Sequence, residues 1–169
     1  MAAYNILRGV IRLTCRGLRR CTDMAKASRA IIIENGNILV MHRNKQGDQY
    51  YTLVGGRVEE YESVEAAVAR EVMEETGLQV LSAQLVFYEP HTAPYNEQYI
   101  FLCQVAPHGN VEIQKASEEA MMNKMGFNTH TPYWVSLQGF PHIPFRTPTL
   151  HQAIIAGIKK GFPKQAITI

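Results

Sequence analysis

Apolar and polar positions along this chain follow two rhythms. In residues 3–20, AYNILRGVIRLTCRGLRR, Leu7, Val10, Ile11 and Leu18 share one side, while Arg8, Arg12 and Arg16 recur every four residues on another. That spacing predicts an amphipathic helix. From Ala30 the period shortens. AIIIE and NILVMHR flank Asn35-Gly36, a strong type I′ turn signal, and predict a β-hairpin. YYTLV is a short strand candidate running into Gly55-Gly56, and LQVLSAQLVFYE, QYIFLCQVA and PYWVSL are further β-rich apolar runs. PHTAPYNE, with two prolines, is a loop. SEEAMMNKMGFNTHT is ambiguous and is expected as a loop with about one helical turn. Thr147-Pro148 offers an N-cap followed by proline at the first helical position, and Leu150, Ile154, Ile155 and Ile158 form one stripe of a last helix ending near Gly161.

Between the strands lies a helix of a different kind. Ser63 is a plausible N-cap and Gly77 a C-terminal stop, and Val64, Val68 and Val72 mark the packed stripe. The order of elements is helix, strands, acidic helix, more strands, terminal helix. It lacks regular βαβ alternation and implies an α+β fold, a mixed sheet between helices.

Composition adds little until charge is mapped. At 169 residues, 46% of them hydrophobic and 19% charged, the chain suits one domain with a proper core. Net charge is only +2, yet residues 1–29 hold seven basic side chains against Asp23 alone. The expected organisation is a basic amphipathic arm at 1–28, a globular domain at 29–162 and a tail at 163–169. The arm is expected to pack on the body with a solvated face. Contact with RNA, another acidic surface or a membrane, or a role in homodimerisation, is the alternative. Three cysteines without CxxC spacing argue against a disulfide framework or a zinc site and fit a cytoplasmic protein. An Arg-rich, acid-poor N-terminus also has the composition of a mitochondrial transit peptide. No apolar run approaches the length of a membrane span.

Seven of the fifteen acidic residues fall between Glu59 and Glu75. Glu71, Glu74 and Glu75 would share one turn, where like charges at i, i+3 and i+4 repel. A solvated acidic face is one reading. The other is a site for a hard divalent cation, which takes carboxylate ligands and commonly bridges to substrate phosphates. Arg70 reaches Glu74 at i+4, and Gly55-Gly56 lets the backbone approach a ligand closely.

Gly56, Glu62 and the run Arg70-Glu71-Val72-Met73-Glu74-Glu75-Thr76-Gly77-Leu78 meet every fixed position of Gx5Ex7REUxEExGU, where U is aliphatic. This resembles the Nudix box of the Nudix hydrolase family, MutT-like members included. The resemblance implies a Nudix fold, an α/β/α sandwich around a mixed β-sheet, here with an extra N-terminal amphipathic helix. It further implies Mg²⁺-dependent hydrolysis, with Mn²⁺ able to substitute, of a small nucleotide: a nucleoside diphosphate linked to another group. Glu71, Glu74, Glu75 and the Gly55 carbonyl would bind metal, and Glu62 would join the metal shell or form a salt bridge. Arg70 would orient the glutamates. Glu71, or Glu118 or Glu119 from the later loop, would be the general base. Two positions depart from the family's usual LPGGxxExGE: Val54 stands for proline and Tyr61 for glycine. Tyr61 is compatible only if that position does not require φ > 0, or if the loop adjusts.

Substrate choice is less legible. Pro94 and Tyr95 stand where ADP-ribose hydrolases and dinucleoside polyphosphate hydrolases of the family carry opposing markers. Gly56 and Arg43 are candidates for phosphate contact and Asn128 for pairing with a purine. Tyr50, Tyr51, Phe87, Tyr88 and Tyr99 are stacking candidates. His91, His108, His130, His142 and His151 have no metal-ligand spacing and are assigned no site. The expected substrates are an NTP, oxidised ones included, or an NDP-sugar or ADP-ribose. The alternatives are RNA 5′-end pyrophosphohydrolysis and a non-catalytic nucleotide sensor.

Overall fold

The computed structural model describes residues 25–90, 97–126 and 128–169. The N-terminal helix expected at 3–20 and the marker positions Pro94 and Tyr95 lie outside the described residues.

Strand β1 (Lys26–Glu34) turns through Asn35-Gly36, both at positive φ, into β2 (Asn37–Lys45). β3 (Asp48–Thr52) returns antiparallel along β2. After helix α1 (Val64–Thr76), β4 (Val80–Pro90) and β5 (Glu97–Val105) form an antiparallel pair, and β5 runs parallel to β1. β6 (Asn128–Ser136) lies antiparallel along the whole of β2. Residues 163–169 carry the two-residue strand β7 (Ile167–Thr168), parallel to β4. The sheet order is β3-β2-β1-β5-β4-β7, with β6 on β2.

Helix α1 covers one face. Val68 and Val72 pack with Ala30, Ile32, Leu39, Val54, Phe101 and Cys103. The last helix, α3 (Pro148–Lys160), covers the other face, where Leu150 and Ile154 meet Ile31, Ile38, Val40, Val86 and Ile100. This is the expected helix–sheet–helix sandwich. Successive strand residues point to opposite faces, so AIII feeds both cores at once.

β1 touches β2 only at the hairpin end, through Ile33 opposite Ile38 and Glu34 opposite Asn37. Away from the turn the two strands separate, and the chain after β3 fills the gap. The Ala30 amide donates to the Val54 carbonyl (2.9 Å) and the Ser28 amide to the Gly56 carbonyl (3.0 Å). The glycine turn is thereby paired to β1 on the edge opposite β5.

Three expectations change. The segment expected as a loop contains α2 (Glu118–Met125), capped by the Ser117 hydroxyl, which accepts from the Ala120 amide, and ended by Gly126 at φ 74°. The last internal strand begins at Asn128 rather than Pro132, because β2 supplies pairing as far as Lys45. Pro132 is tolerated because β6 pairs with β2 alone. At the start of α3, Thr147 makes no side-chain cap bond, and Pro148 alone marks the first turn.

Tyr61 sits at φ 67° with its side chain 98% exposed. The loop has not adjusted, so an L-residue holds a left-handed conformation costing about 1–2 kcal/mol. Tyr61→Gly is expected to stabilise the protein by up to about 1 kcal/mol, after the greater chain entropy of glycine is subtracted. Urea denaturation checks this.

Candidate active site

The site is built on α1. The Ser63 hydroxyl accepts from the Ala66 amide at the N-terminus, and Gly77 at φ 74° ends the helix with its amide on the Met73 carbonyl. With the valine stripe against the sheet, Glu71 and Glu75 are carried to the buried edge beside the glycine turn, 7% and 3% exposed. Glu74, one step around the helix, is half-exposed.

Arg70 holds this edge together. Its Nε and Nη2 donate to the two oxygens of Glu62 (2.9 and 3.0 Å), its Nη1 to Glu71 (2.9 Å) and Glu74 (3.2 Å), and its Nη2 also to the Arg57 carbonyl (2.9 Å). Bidentate carboxylate pairing lowers the Glu62 pKa and raises that of Arg70. Glu62 therefore anchors Arg70 and does not line the cavity that the other three glutamates share. Of its two expected roles, the structure places Glu62 in the salt bridge to Arg70. Arg70→Ala would leave Glu71 buried without its cation. We expect a loss of about 2 kcal/mol, readable by chemical denaturation, since breaking a partly buried pair costs less than breaking a fully buried one.

Glu75 points elsewhere. One of its oxygens accepts from the Gly55 amide at 2.7 Å, and burial nonetheless pushes its pKa up to about 8. Burial also raises Glu71, against the opposing pull of Arg70. Glu119, in the first turn of α2, adds to both shifts through its charge. Glu119 is half-buried and Glu118 exposed, and both line the same cavity of about 430 Å³.

Among the described residues, no three His, Cys, Asp or Glu side chains stand close enough to cage an ion as they are. The expected convergence is split, because Arg70 ties Glu71 to Glu74 while Glu75 turns to the Gly55 amide. The Gly55 carbonyl, an expected ligand, is occupied by the Arg29 guanidinium, whose Nε also donates to the Gln98 Oε1 (3.2 Å). The donor set still fits a hard divalent cation. It offers only carboxylate and carbonyl oxygens, and Glu75 is a buried acid that its surroundings do not stabilise as an anion. Gly56 leaves the space this needs, since a Cβ there would lie 2.5–2.6 Å from the Glu71 carboxylate.

Arg29 and Arg43 also line the cavity, as does His130, which carries no sequence signal. Arg43 lies opposite His130 across β2–β6 and opposite Tyr50 across β2–β3; Lys45 lies opposite Asn128, and Met41 opposite Thr52. By the two-residue period these share one face of the sheet. On that face Arg43 Nε, Thr52 Oγ1, Asn128 Oδ1 and both ring nitrogens of His130 are buried without a partner in good hydrogen-bond geometry among the described residues. Burial and the neighbouring Arg43 charge push His130 down to about 4, so its ring is neutral at pH 7. Asn128 is a strand residue here, and its amide nitrogen reaches only the Met122 sulfur at 3.8 Å. It does not line the acidic cavity. Of the stacking candidates, Phe87 is buried core, Tyr88 and Tyr99 lie 5.4 Å apart on β4–β5, and Tyr51 packs on His42.

Residues 24–151 match the NUDIX domain family. The chain is 34% identical over 89 residues to a NAD-capped RNA hydrolase NudC from Edwardsiella ictaluri, covering 50% of this chain and 35% of that protein. A protein of the same name from Photobacterium profundum is 38% identical over 91 residues, covering 53% and 32%. The chain thus spans about a third of the length of these curated relatives. Among solved structures it is similar to an ADP-ribose pyrophosphatase from Streptococcus suis, with a TM-score of 0.61 at 22% identity over 86% of this chain and 99% of that one. That likeness concerns the fold alone. With its complete box folded against β1 and the match extending over three quarters of its length, the chain belongs to the Nudix family.

Proposed function

We propose that the protein is a divalent-metal-dependent pyrophosphohydrolase acting on a nucleoside diphosphate linked to another group. The observation that carries the reading is the pair of buried glutamates on α1, Glu71 and Glu75, whose carboxyls burial raises beside a cavity lined by arginines. Acids kept there at a cost in stability suit a site completed by a cation.

Glu71, Glu74 and Glu75 would hold Mg²⁺ or Mn²⁺, with the Gly55 carbonyl available once Arg29 moves to substrate. A cation held there supplies Lewis acidity toward a diphosphate oxygen and toward the attacking water. The chain's own groups do the rest. Arg29 and Arg43 meet the charge of the phosphates across the cavity. Glu119, half-buried and electrostatically coupled to Glu71 and Glu75, is placed to accept the proton of the water; Glu71 is the alternative within the box, and Glu118 is too exposed to be preferred. Arg70 and its anchor Glu62 fix the glutamate edge during turnover.

A panel of NTPs, oxidised NTPs, NDP-sugars, ADP-ribose, dinucleoside polyphosphates and 5′-capped RNA tests this. Hydrolysis of one class is expected with Mg²⁺ or Mn²⁺, lost in EDTA and restored by excess cation. Metal-dependent nucleotide binding without turnover of any substrate would replace the reading with that of a sensor. The capped-RNA arm is included because the relatives matched over half of the chain bear the name NAD-capped RNA hydrolase.

A further inference from the structure

A second cavity, of about 280 Å³, adjoins the first. Arg29 and Arg43 line both and form their common wall. Beyond that wall the lining changes character. The acidic cavity is lined by Glu59, Glu71, Glu74, Glu75, Glu118 and Glu119, whereas among the described residues no carboxylate lines the second one. Lys45 and Arg146 bring two further positive charges, and the Arg146 guanidinium lies 5.0 Å from the centre of the Tyr50 ring. Behind the lining, the buried Glu89 carboxylate accepts from the side-chain amide of Gln98 (3.0 Å), and at the surface Asp48 lies 3.9 Å from Arg146, with both side chains mostly exposed. Such a pair is weakly held and gives way to a better anion.

Three elements make this cluster. Arg43 and Lys45 point the same way from β2, Tyr50 and Thr52 come from β3, and Arg146 follows a segment bound along β3 by the Tyr51 amide to the Pro144 carbonyl and the Arg146 amide to the Tyr51 carbonyl, each 2.9 Å. Two buried polar atoms on the lining, Arg43 Nε and Thr52 Oγ1, have no partner among the described residues. A buried donor left unmade costs about 1–3 kcal/mol, which an acceptor on a ligand recovers. The lining therefore offers cations and hydrogen-bond donors beside the Tyr50 ring.

We propose that this second cavity binds a phosphate other than the two being parted, one carried on the ribose side of the nucleotidyl group: the 2′- or 3′-phosphate of a mononucleotide, or the first phosphodiester of an RNA chain. The placement rests on the pyrophosphohydrolase reading, which puts the cleaved diphosphate at the glutamate edge. Arg29 and Arg43 serve that diphosphate from the shared wall. Lys45 and Arg146 line only the second cavity and serve the further phosphate, with Tyr50 alongside the nucleoside.

Binding to metal-free protein in EDTA separates this inference from catalysis. Calorimetry would compare AMP, ADP, adenosine 3′,5′-bisphosphate and the 5′-phosphorylated dinucleotide pApA. The bisphosphate is expected to bind about tenfold more tightly than AMP, and more tightly than ADP, whose added phosphate lies on the wrong side. In the Lys45→Ala/Arg146→Ala double variant, both side chains being exposed, the preference over AMP is expected to vanish. pApA binding more tightly than the bisphosphate would assign RNA as the source, and weaker binding the mononucleotide. Equal affinity for AMP and the bisphosphate, a preference no greater than that for ADP, or a preference that survives the double variant would overturn the inference. An intact preference in a protein that hydrolyses nothing would count against the catalytic reading alone.

Discussion

Glu75→Gln is expected to abolish hydrolysis while making the metal-free protein harder to unfold at pH 8. The carboxyl is 3% exposed, has one backbone donor, and is pushed up to about 8 by burial. Its folded pKa thus lies above the ordinary value of 4.5. The native state holds this proton more tightly than the unfolded chain does, so the contribution is fully present below about pH 4.5 and is lost as pH rises through about 8. Over that window the metal-free wild type loses stability at up to about 1.4 kcal/mol per pH unit. Glutamine keeps an oxygen for the Gly55 amide and has no proton to lose, so this loss disappears. Activity moves the other way, because a neutral amide is a poor ligand for a hard cation. A fall in turnover of at least about a thousandfold, some 4 kcal/mol in the barrier, is expected. Urea unfolding in EDTA at pH 5 and pH 8, beside turnover at saturating cation, checks both halves. A variant less stable than wild type at pH 8 would contradict the electrostatic account.

The adjacent glycines should separate by phenotype. At Gly55, φ is 128° and a Cβ would run into the Ser28 carbonyl oxygen and lie 2.9 Å from the Arg29 Cα. These are backbone atoms of β1, already fixed by pairing on both edges. Gly55→Ala is expected to cost about 3 kcal/mol or more, through positive-φ strain together with overpacking. At Gly56 the backbone is unstrained and the obstacle is the Glu71 carboxylate at 2.5–2.6 Å. That side chain can swing at modest cost in stability, but only by leaving its place. Gly56→Ala should therefore fold nearly as well as wild type and lose about a hundredfold in turnover, the usual result of displacing a catalytic group by an ångström. Thermal unfolding and steady-state kinetics on the two variants check this. Equal stability losses in both would show that Gly56 has the same structural role as Gly55.

What the sequence made legible was local. Asn35-Gly36, Ser63, Gly77 and the valine stripe of α1 act within a few residues, and the structure uses each as expected. The glutamates were legible because three of them share a turn with an arginine. What was missed depends on distant pairing. Asn128–Thr131 has weak strand character, and β2 imposes the strand on it. Helix α2 has eight residues and no buried face, so periodicity could not announce it, although Ser117 and Gly126 were available as caps. Arg29 reaches the Gly55 carbonyl only because β1 runs beside the glycine turn. His130 is a lone histidine in sequence and gains meaning only opposite Arg43. Tyr61 shows the converse: the departure was visible, but whether it carried strain depended on the loop's φ.

If the α1 glutamates form a metal-dependent hydrolytic site, hydrolysis must need both the cation and the Glu75 carboxylate. The measurement is product release from the nucleotide panel with Mg²⁺ or Mn²⁺, wild type beside Glu75→Gln. Turnover of one substrate class by the wild type is expected, dependent on added cation and lost in the variant. Turnover unchanged in Glu75→Gln, or undiminished in EDTA, would contradict it.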